Sequence, residues 1–151
     1  MQDVSCHPFF LALQQIIHNA ADAIMEIYQR QDLGIEHKLD NSPVTAADMA
    51  AHNIIVAGLR QLTPEVPVLS EEGVCRYEER VSWPLLWVVD PLDGTKEFIK
   101  RNGEFSINIA LVENHKPILG MVYLPVTMEG FFGVTQAHHG LTEGAIKWTP
   151  E

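Results

Sequence analysis

Cysteine is nearly absent from this sequence: Cys6 and Cys75 are the only two in 151 residues. Their placement has neither metal-ligand nor redox-pair spacing, which excludes a disulfide scaffold and a zinc site and points to free thiols in a reducing cytoplasm. Long apolar runs are missing too. The longest, such as Pro84 to Val89, are far too short to cross a bilayer. The first residues lack the basic region of a secretory signal: Asp3 stands there, and Gln14, Gln15 and His18 interrupt the apolar stretch that follows. Positive charge is scarce, with 10 Lys and Arg against 20 Asp and Glu and a net charge of −10. So acidic a chain repels nucleic-acid polymers and anionic membranes in general. If its partner is a phosphate, the attraction must be local, from a helix start or from cations held by carboxylates.

What the sequence does contain is a foldable core. Hydrophobic residues make up 46% and charged residues 20%, a composition for one folded domain without repeats, low-complexity tracts or linkers. Between Phe9 and Arg30, Phe10, Leu13, Ile17, Ala20, Ile24 and Ile27 recur every three or four residues. That stripe predicts an amphipathic helix near residues 9–30, ended by Gly34. Residues 35–42 are polar and turn-rich, a short strand and an exposed loop. Thr45-Ala46-Ala47-Asp48 fits a capping box and predicts a second helix over 45–62, before Pro64. Short bulky or β-branched runs then predict strands at Val66–Leu69, Leu85–Val89, Phe105–Val112 and Ile118–Tyr123. The last two would form a hairpin around Glu113–Pro117, with Gly130–Thr135 and Ala145–Trp148 as further short strands. Lys96–Arg101 reads as one or two helical turns. The expected fold is α+β: two long helices packed on one face of a mostly antiparallel sheet.

The densest chemistry lies in Trp87-Val88-Val89-Asp90-Pro91-Leu92-Asp93-Gly94-Thr95. A buried strand delivers Asp90 to its end, Pro91 pre-sets a tight turn, and Asp93 follows three residues on, so both carboxylates can share one side. Hard oxygen ligands of this kind suit Mg²⁺, with the Leu92 carbonyl as a further donor. Gly94 and Thr95 open a helical turn whose free N–H groups would meet an anion. The plain alternative is a polar hairpin turn, since Asp-Gly is a common turn pair. Glu71-Glu72 also follows a short apolar strand and reads either as a second ligand pair or as a solvated strand end. Asp48 is by default a helix cap. His138-His139 reads as an exposed loop, Lys96, Lys100 and Arg101 as a solvated helix face or phosphate contacts, and Trp83 and Trp87 as packing residues.

At these residues the chain resembles a known family. Asp90-Pro91-Leu92-Asp93-Gly94-Thr95, preceded by Leu69-Ser70-Glu71-Glu72-Gly73, is similar to the metal motif of the inositol monophosphatase-like, lithium-sensitive phosphatases. Asn41–Asp48 and Asp93–Phe105 resemble the bisphosphate-nucleotidase branch of that family, and the likeness is continuous from about residue 9 to Pro125. It implies that Glu71, Asp90, the Leu92 carbonyl and Asp93 hold metal, Glu71 and Asp90 being shared between ions. It implies two or more Mg²⁺ in the complete enzyme, Gly94 and Thr95 on the scissile phosphate, and Asp48 and Thr95 on the attacking water, with Glu72 in support. The substrate would be a small phosphate ester, adenosine 3′,5′-bisphosphate or a related nucleotide of sulfur assimilation. An inositol or sugar phosphate is the alternative within the family.

The likeness also has an edge. Family members are longer and add a second α/β domain that supplies a Trp-Asp motif, whose aspartate completes a metal site, and much of the substrate pocket. This chain has no Asp after Asp93, and residues 133–151 match only loosely. The expectation is therefore residues 1–151 as the amino-terminal metal-binding domain without its carboxy-terminal partner: a truncation, half of a split protein, or a single domain. From this follow three expectations: little activity alone, an exposed face, and self-association or pairing with a separate carboxy-terminal half. A non-catalytic metal-binding or interaction domain is the reading from another class. A cytoplasmic position is expected, or a peripheral one at the inner face of the membrane.

Overall fold

The computed structural model describes residues 3–73, 75–135 and 143–150. After a 3-10 turn at Val4–Cys6 the chain forms α1, Phe10–Tyr28, then the two-residue strands β1, Glu36–His37, and β2, Pro43–Val44. There follow α2, Ala46–Leu62; β3, Val68–Ser70; α3, Tyr77–Arg80; β4, Leu85–Asp93; and α4, Thr95–Lys100. The chain continues through β5, Ser106–Glu113; β6, Lys116–Leu124; β7, Glu129–Val134; and β8, Gly144–Trp148. Strands β3 to β8 make one six-stranded sheet in sequence order, antiparallel except for the β3–β4 pair, while β1 and β2 form a separate small hairpin. The fold is α+β, as the apolar patterning predicts.

The buried face of α1 is Phe10, Leu13, Ile17, Ala20, Ala21, Ile24 and Ile27, which contains the whole predicted stripe. It packs on α2, whose Gly58 comes so close to Ile16 that an added Cβ would lie 2.7 Å from it. Helix α2 in turn lies on β3 and β4, over the buried side chains of Trp87 and Val89. Its far end is tied down by Thr63, which accepts from Trp87 Nε1 at 2.8 Å and donates to the Leu59 carbonyl at 3.1 Å.

Helix α1 spans Phe10–Tyr28, within two residues of the expected 9–30 at either end, and the Arg101 guanidinium donates to the carbonyls of Tyr28 and Arg30 just past it. Arg101 is exposed, as a solvated helix face would be. Two expectations need correction. The Glu113–Pro117 connection is tighter than predicted: Glu113 pairs with Lys116, and Asn114 and His115 take left-handed conformations (φ 48° and 67°), as a two-residue I′ hairpin turn requires. Finally, Asp90-Pro91-Leu92-Asp93 is no turn. Strand β4 runs through it to Asp93. Asp90 pairs with Asn108 and Asp93 with Ser106, three residues against two, so one extra residue is accommodated as a β-bulge.

A mostly apolar row crosses the face of the sheet opposite the helices. Val88, Ala110, Gly120, Gly133 and Ala145 stand side by side on five successive strands. Beside this row of mostly small residues, Phe131 is 41% exposed, and Val88 within it is 38% exposed. His138-His139 lies outside the described residues.

Candidate metal and phosphate site

The bulge in β4 determines the geometry. Regular alternation would put Asp90 and Asp93 on opposite faces of the strand. The extra residue turns Pro91 and Leu92 into the core together, and both aspartates line one cavity of about 230 Å³. Glu71 and Glu72 line it as well, coming from the turn after β3, which is held against β4 by Glu71 N–H donating to the Val89 carbonyl at 3.0 Å. Leu92, Gly94 and Thr95 complete that side, and Lys38 and Lys96 bring positive charge.

Gly94 is required where it stands. Its φ is +94°, and a Cβ there would lie 2.9 Å from the Glu104 carbonyl, so only glycine makes the step from β4 into α4 without strain. Helix α4 is anchored from below by Phe98, fully buried against Tyr28 and Phe105 with ring centroids 5.1 Å away in each case.

Asp48 does not line the cavity but underlies it. It is fully buried in the first turn of α2. Its Oδ2 accepts from Thr45 N–H at 2.8 Å and from Thr45 Oγ1 at 2.6 Å, closing the predicted capping box. Its Oδ1 accepts from Thr95 Oγ1 at 2.9 Å, a far better acceptor for that hydroxyl than the Leu92 carbonyl at 3.4 Å. Cap and site thus share one carboxylate, one oxygen for each.

The electrostatics single out Asp90. Burial first, then the hydrogen bond and negative charge of Glu71, then the charge of Asp93, push its carboxyl up to about 7. Its Oδ1 is buried with no hydrogen-bond partner, an expensive state for an acceptor. Among the described residues no three His, Cys, Asp or Glu side chains enclose an ion by themselves. A hard divalent cation that keeps several waters needs no such cage, and the all-oxygen donor set with one orphaned carboxylate oxygen fits it. Glu71, Asp90, the Leu92 carbonyl and Asp93 could hold it.

Lys38 escapes sequence reasoning. Its ammonium bridges Glu72 at 3.0 Å to either oxygen. Burial alone would lower its pKa, but the hydrogen bond and charge of Glu72, with Glu71 and Asp48 behind, raise it. Only the β1–β2 hairpin brings it here, and a two-residue strand leaves no periodic signal. Among the packing residues, Trp87 is fully buried, as predicted. Trp83 lines a larger cavity of about 840 Å³ with Arg60, Pro67 and Leu85. That cavity has two carboxylates, Glu65 and Glu79, against five around the smaller one, so size does not mark the site.

A two-layer α+β fold with acidic strand ends meeting beside a short helix defines a family, and sequence comparison agrees. The inositol monophosphatase family model matches residues 7–149, and this chain belongs to that family. It is 61% identical over 113 residues to the 3′(2′),5′-bisphosphate nucleotidase CysQ of Escherichia coli K12, covering 74% of this chain and 46% of that protein. The CysQ of Aggregatibacter actinomycetemcomitans is 39% identical over 134 residues, 83% of this chain and 49% of that protein. The crystal structure of CysQ from Bacteroides thetaiotaomicron superposes with a TM-score of 0.77 at 43% identity, over 98% of this chain and 51% of that one. The inositol monophosphatase of Thermotoga maritima superposes with a TM-score of 0.75 at 28% identity, over 91% and 50%. The chain thus spans about half the length of the relatives it matches.

Proposed function

We propose that this chain supplies the metal- and phosphate-binding half of a Mg²⁺-dependent phosphomonoesterase that removes the 3′-phosphate of adenosine 3′,5′-bisphosphate and related nucleotides. The observation that carries the reading is the buried, unpartnered Asp90 Oδ1 beside Glu71 and Asp93, in a cavity whose other wall is Gly94-Thr95. The 61% identity to a bisphosphate nucleotidase, against 28% to an inositol monophosphatase, supports the nucleotide over an inositol phosphate. Metal would be held by Glu71, Asp90, Asp93 and the Leu92 carbonyl. Bound there, Mg²⁺ supplies Lewis acidity, lowering the pKa of a water and neutralising phosphoryl charge. Thr95 Oγ1 donates a hydrogen bond to Asp48 Oδ1, leaving the lone pairs of the hydroxyl oxygen to accept from an attacking water and orient it. Asp48, fixed by Thr45, is the sink for that water's proton through Thr95. The N–H groups of Gly94 and Thr95 take the phosphoryl oxygens. Glu72, engaged by Lys38, supports this side without facing the substrate as a free charge.

The same reading leaves the site incomplete within these residues. A further carboxylate ligand and the nucleoside pocket come from the rest of the enzyme, joined in one chain or supplied by a second. No described helix is long and apolar enough to cross a membrane, and we place the enzyme in the cytoplasm. The test is calorimetric titration of the 151-residue chain with Mg²⁺ and Ca²⁺, alongside phosphate release. Weak binding is expected, abolished by Asp90→Asn, together with negligible nucleotidase activity until the missing half is added. Losing electrostatic stabilisation of the transition state costs on the order of a hundredfold or more in rate. Turnover by the isolated chain equal to that of a complete family enzyme would overturn the proposed division of the site, and binding unaffected by Asp90→Asn would overturn the ligand set.

A further inference from the structure

A second hydrogen-bonded pair stands behind the acidic turn. His52 Nδ1 lies 2.7 Å from Ser70 Oγ, and Ser70 is only 6% exposed. Ser70 closes β3 and opens the turn that carries Glu71 and Glu72. Its hydroxyl lies 3.4 Å from the Glu72 N–H, which donates to it, and its carbonyl accepts from Gly73 N–H at 3.0 Å. The His52 ring also closes over the turn from above: a Cβ on Gly73 would touch His52 Cε1 at 3.5 Å. His52 is thus bound to the turn through one hydrogen bond, and its ring stands close enough to Gly73 that a side chain there would touch it.

The placement of His52 gives this pair a purpose beyond packing. It sits four residues after Asp48 in α2, so both project from one face of the helix. Asp48 reaches Thr95 at the start of α4, and His52 reaches Ser70 at the end of β3. One rigid helix face therefore grips the site from two sides, the phosphate wall and the acidic turn. We infer that His52 is a positioning residue which, through Ser70, holds the Glu71-Glu72 turn in the geometry that accepts a divalent cation. The inference rests on the proposed metal site. Burial, reinforced by Arg60 and opposed by Glu72, lowers the pKa of His52. The neutral ring can either donate to Ser70 Oγ or accept from it, and the turn is held in both cases.

The experiment uses the 151-residue chain and Mn²⁺ as probe, with bound ion read by electron paramagnetic resonance and folding by circular dichroism. His52→Ala and Ser70→Ala should each weaken Mn²⁺ binding about tenfold, the lower end of what loss of an outer-shell partner costs. The double variant should be no worse than Ser70→Ala alone, since that change already removes the bond to His52. His52→Asn places an amide where Nδ1 stood, able to donate or accept, and should restore affinity to within about twofold of the unaltered chain. Folded variants that bind as the unaltered chain does would overturn the inference and leave the metal site standing. His52→Asn binding as poorly as His52→Ala, with both folded, would also overturn it, since the role would then be ring packing. Failure of the unaltered chain to bind Mn²⁺ would overturn the metal site and the inference with it.

Discussion

Asp90 carries a pH dependence whose sign follows from its surroundings. With its folded pKa raised to about 7 and an unfolded value near 4, the ion-free folded chain holds a proton between those limits that the unfolded chain has released. Its contribution to stability is complete below about pH 4 and is lost as pH rises through 7. A divalent cation competes with that same proton, so its affinity should climb over the same range and binding should release protons. The urea midpoint of the ion-free chain should therefore fall between pH 5 and about 8, and Asp90→Asn should flatten the dependence. A midpoint that rises over that range would contradict this. That Asp90 and Asp93 share one cavity was readable because their residue types and spacing are local, and Glu71 joined them only through the family resemblance. The capping box was readable for the same reason, since Thr45 and Asp48 are three residues apart. Lys38, Arg101 and His52 were not. Each acts on a partner at least 18 positions away, Glu72, the end of α1 and Ser70, and one sequence gives no sign of such pairs.

Among the elements, β8 depends most on a single small residue. Tyr123, Gly130 and Trp148 stand in register across β6, β7 and β8, and the indole lies over the glycine to stack on Tyr123 at 5.3 Å and 5° between planes. A Cβ on Gly130 would lie 2.1 Å from Trp148 Cε2. Gly130→Ala should push the indole off Tyr123 and loosen β8, at a cost of about 1–3 kcal/mol. Loss of near-ultraviolet circular dichroism and a lower urea midpoint would register it; an unchanged spectrum would contradict the stacking. The helices were legible because an amphipathic stripe repeats over many residues, and the β5–β6 hairpin because its partners are neighbours in sequence. The course of β4 was not. Asp-Pro-Leu-Asp has the composition of a turn, and only pairing with β5 keeps it extended and places the bulge.

For the whole molecule, the exposed sheet face sets the behaviour in solution. The row from Val88 to Ala145, beside Phe131, is an apolar surface of the kind that finds a partner. The isolated chain should self-associate through it, with a sedimentation coefficient that rises with concentration, and Phe131→Glu should return it to monomer. A sharp, concentration-independent monomer before any substitution would contradict this. The lone parallel pairing in the sheet has a different consequence, for the order of assembly. From β4 to β8 every neighbour is the next antiparallel strand, and β5 meets β6 across two residues. Strand β3 finds β4 only across a separation of 19, as Val68 opposite Trp87. Closing that longer loop costs more chain entropy, and it brings the like charges of Glu71 and Asp90 together. Among the pairings of the sheet, the corner proposed for the cation should thus be the last seam to close as the chain folds and the first to open as it breathes.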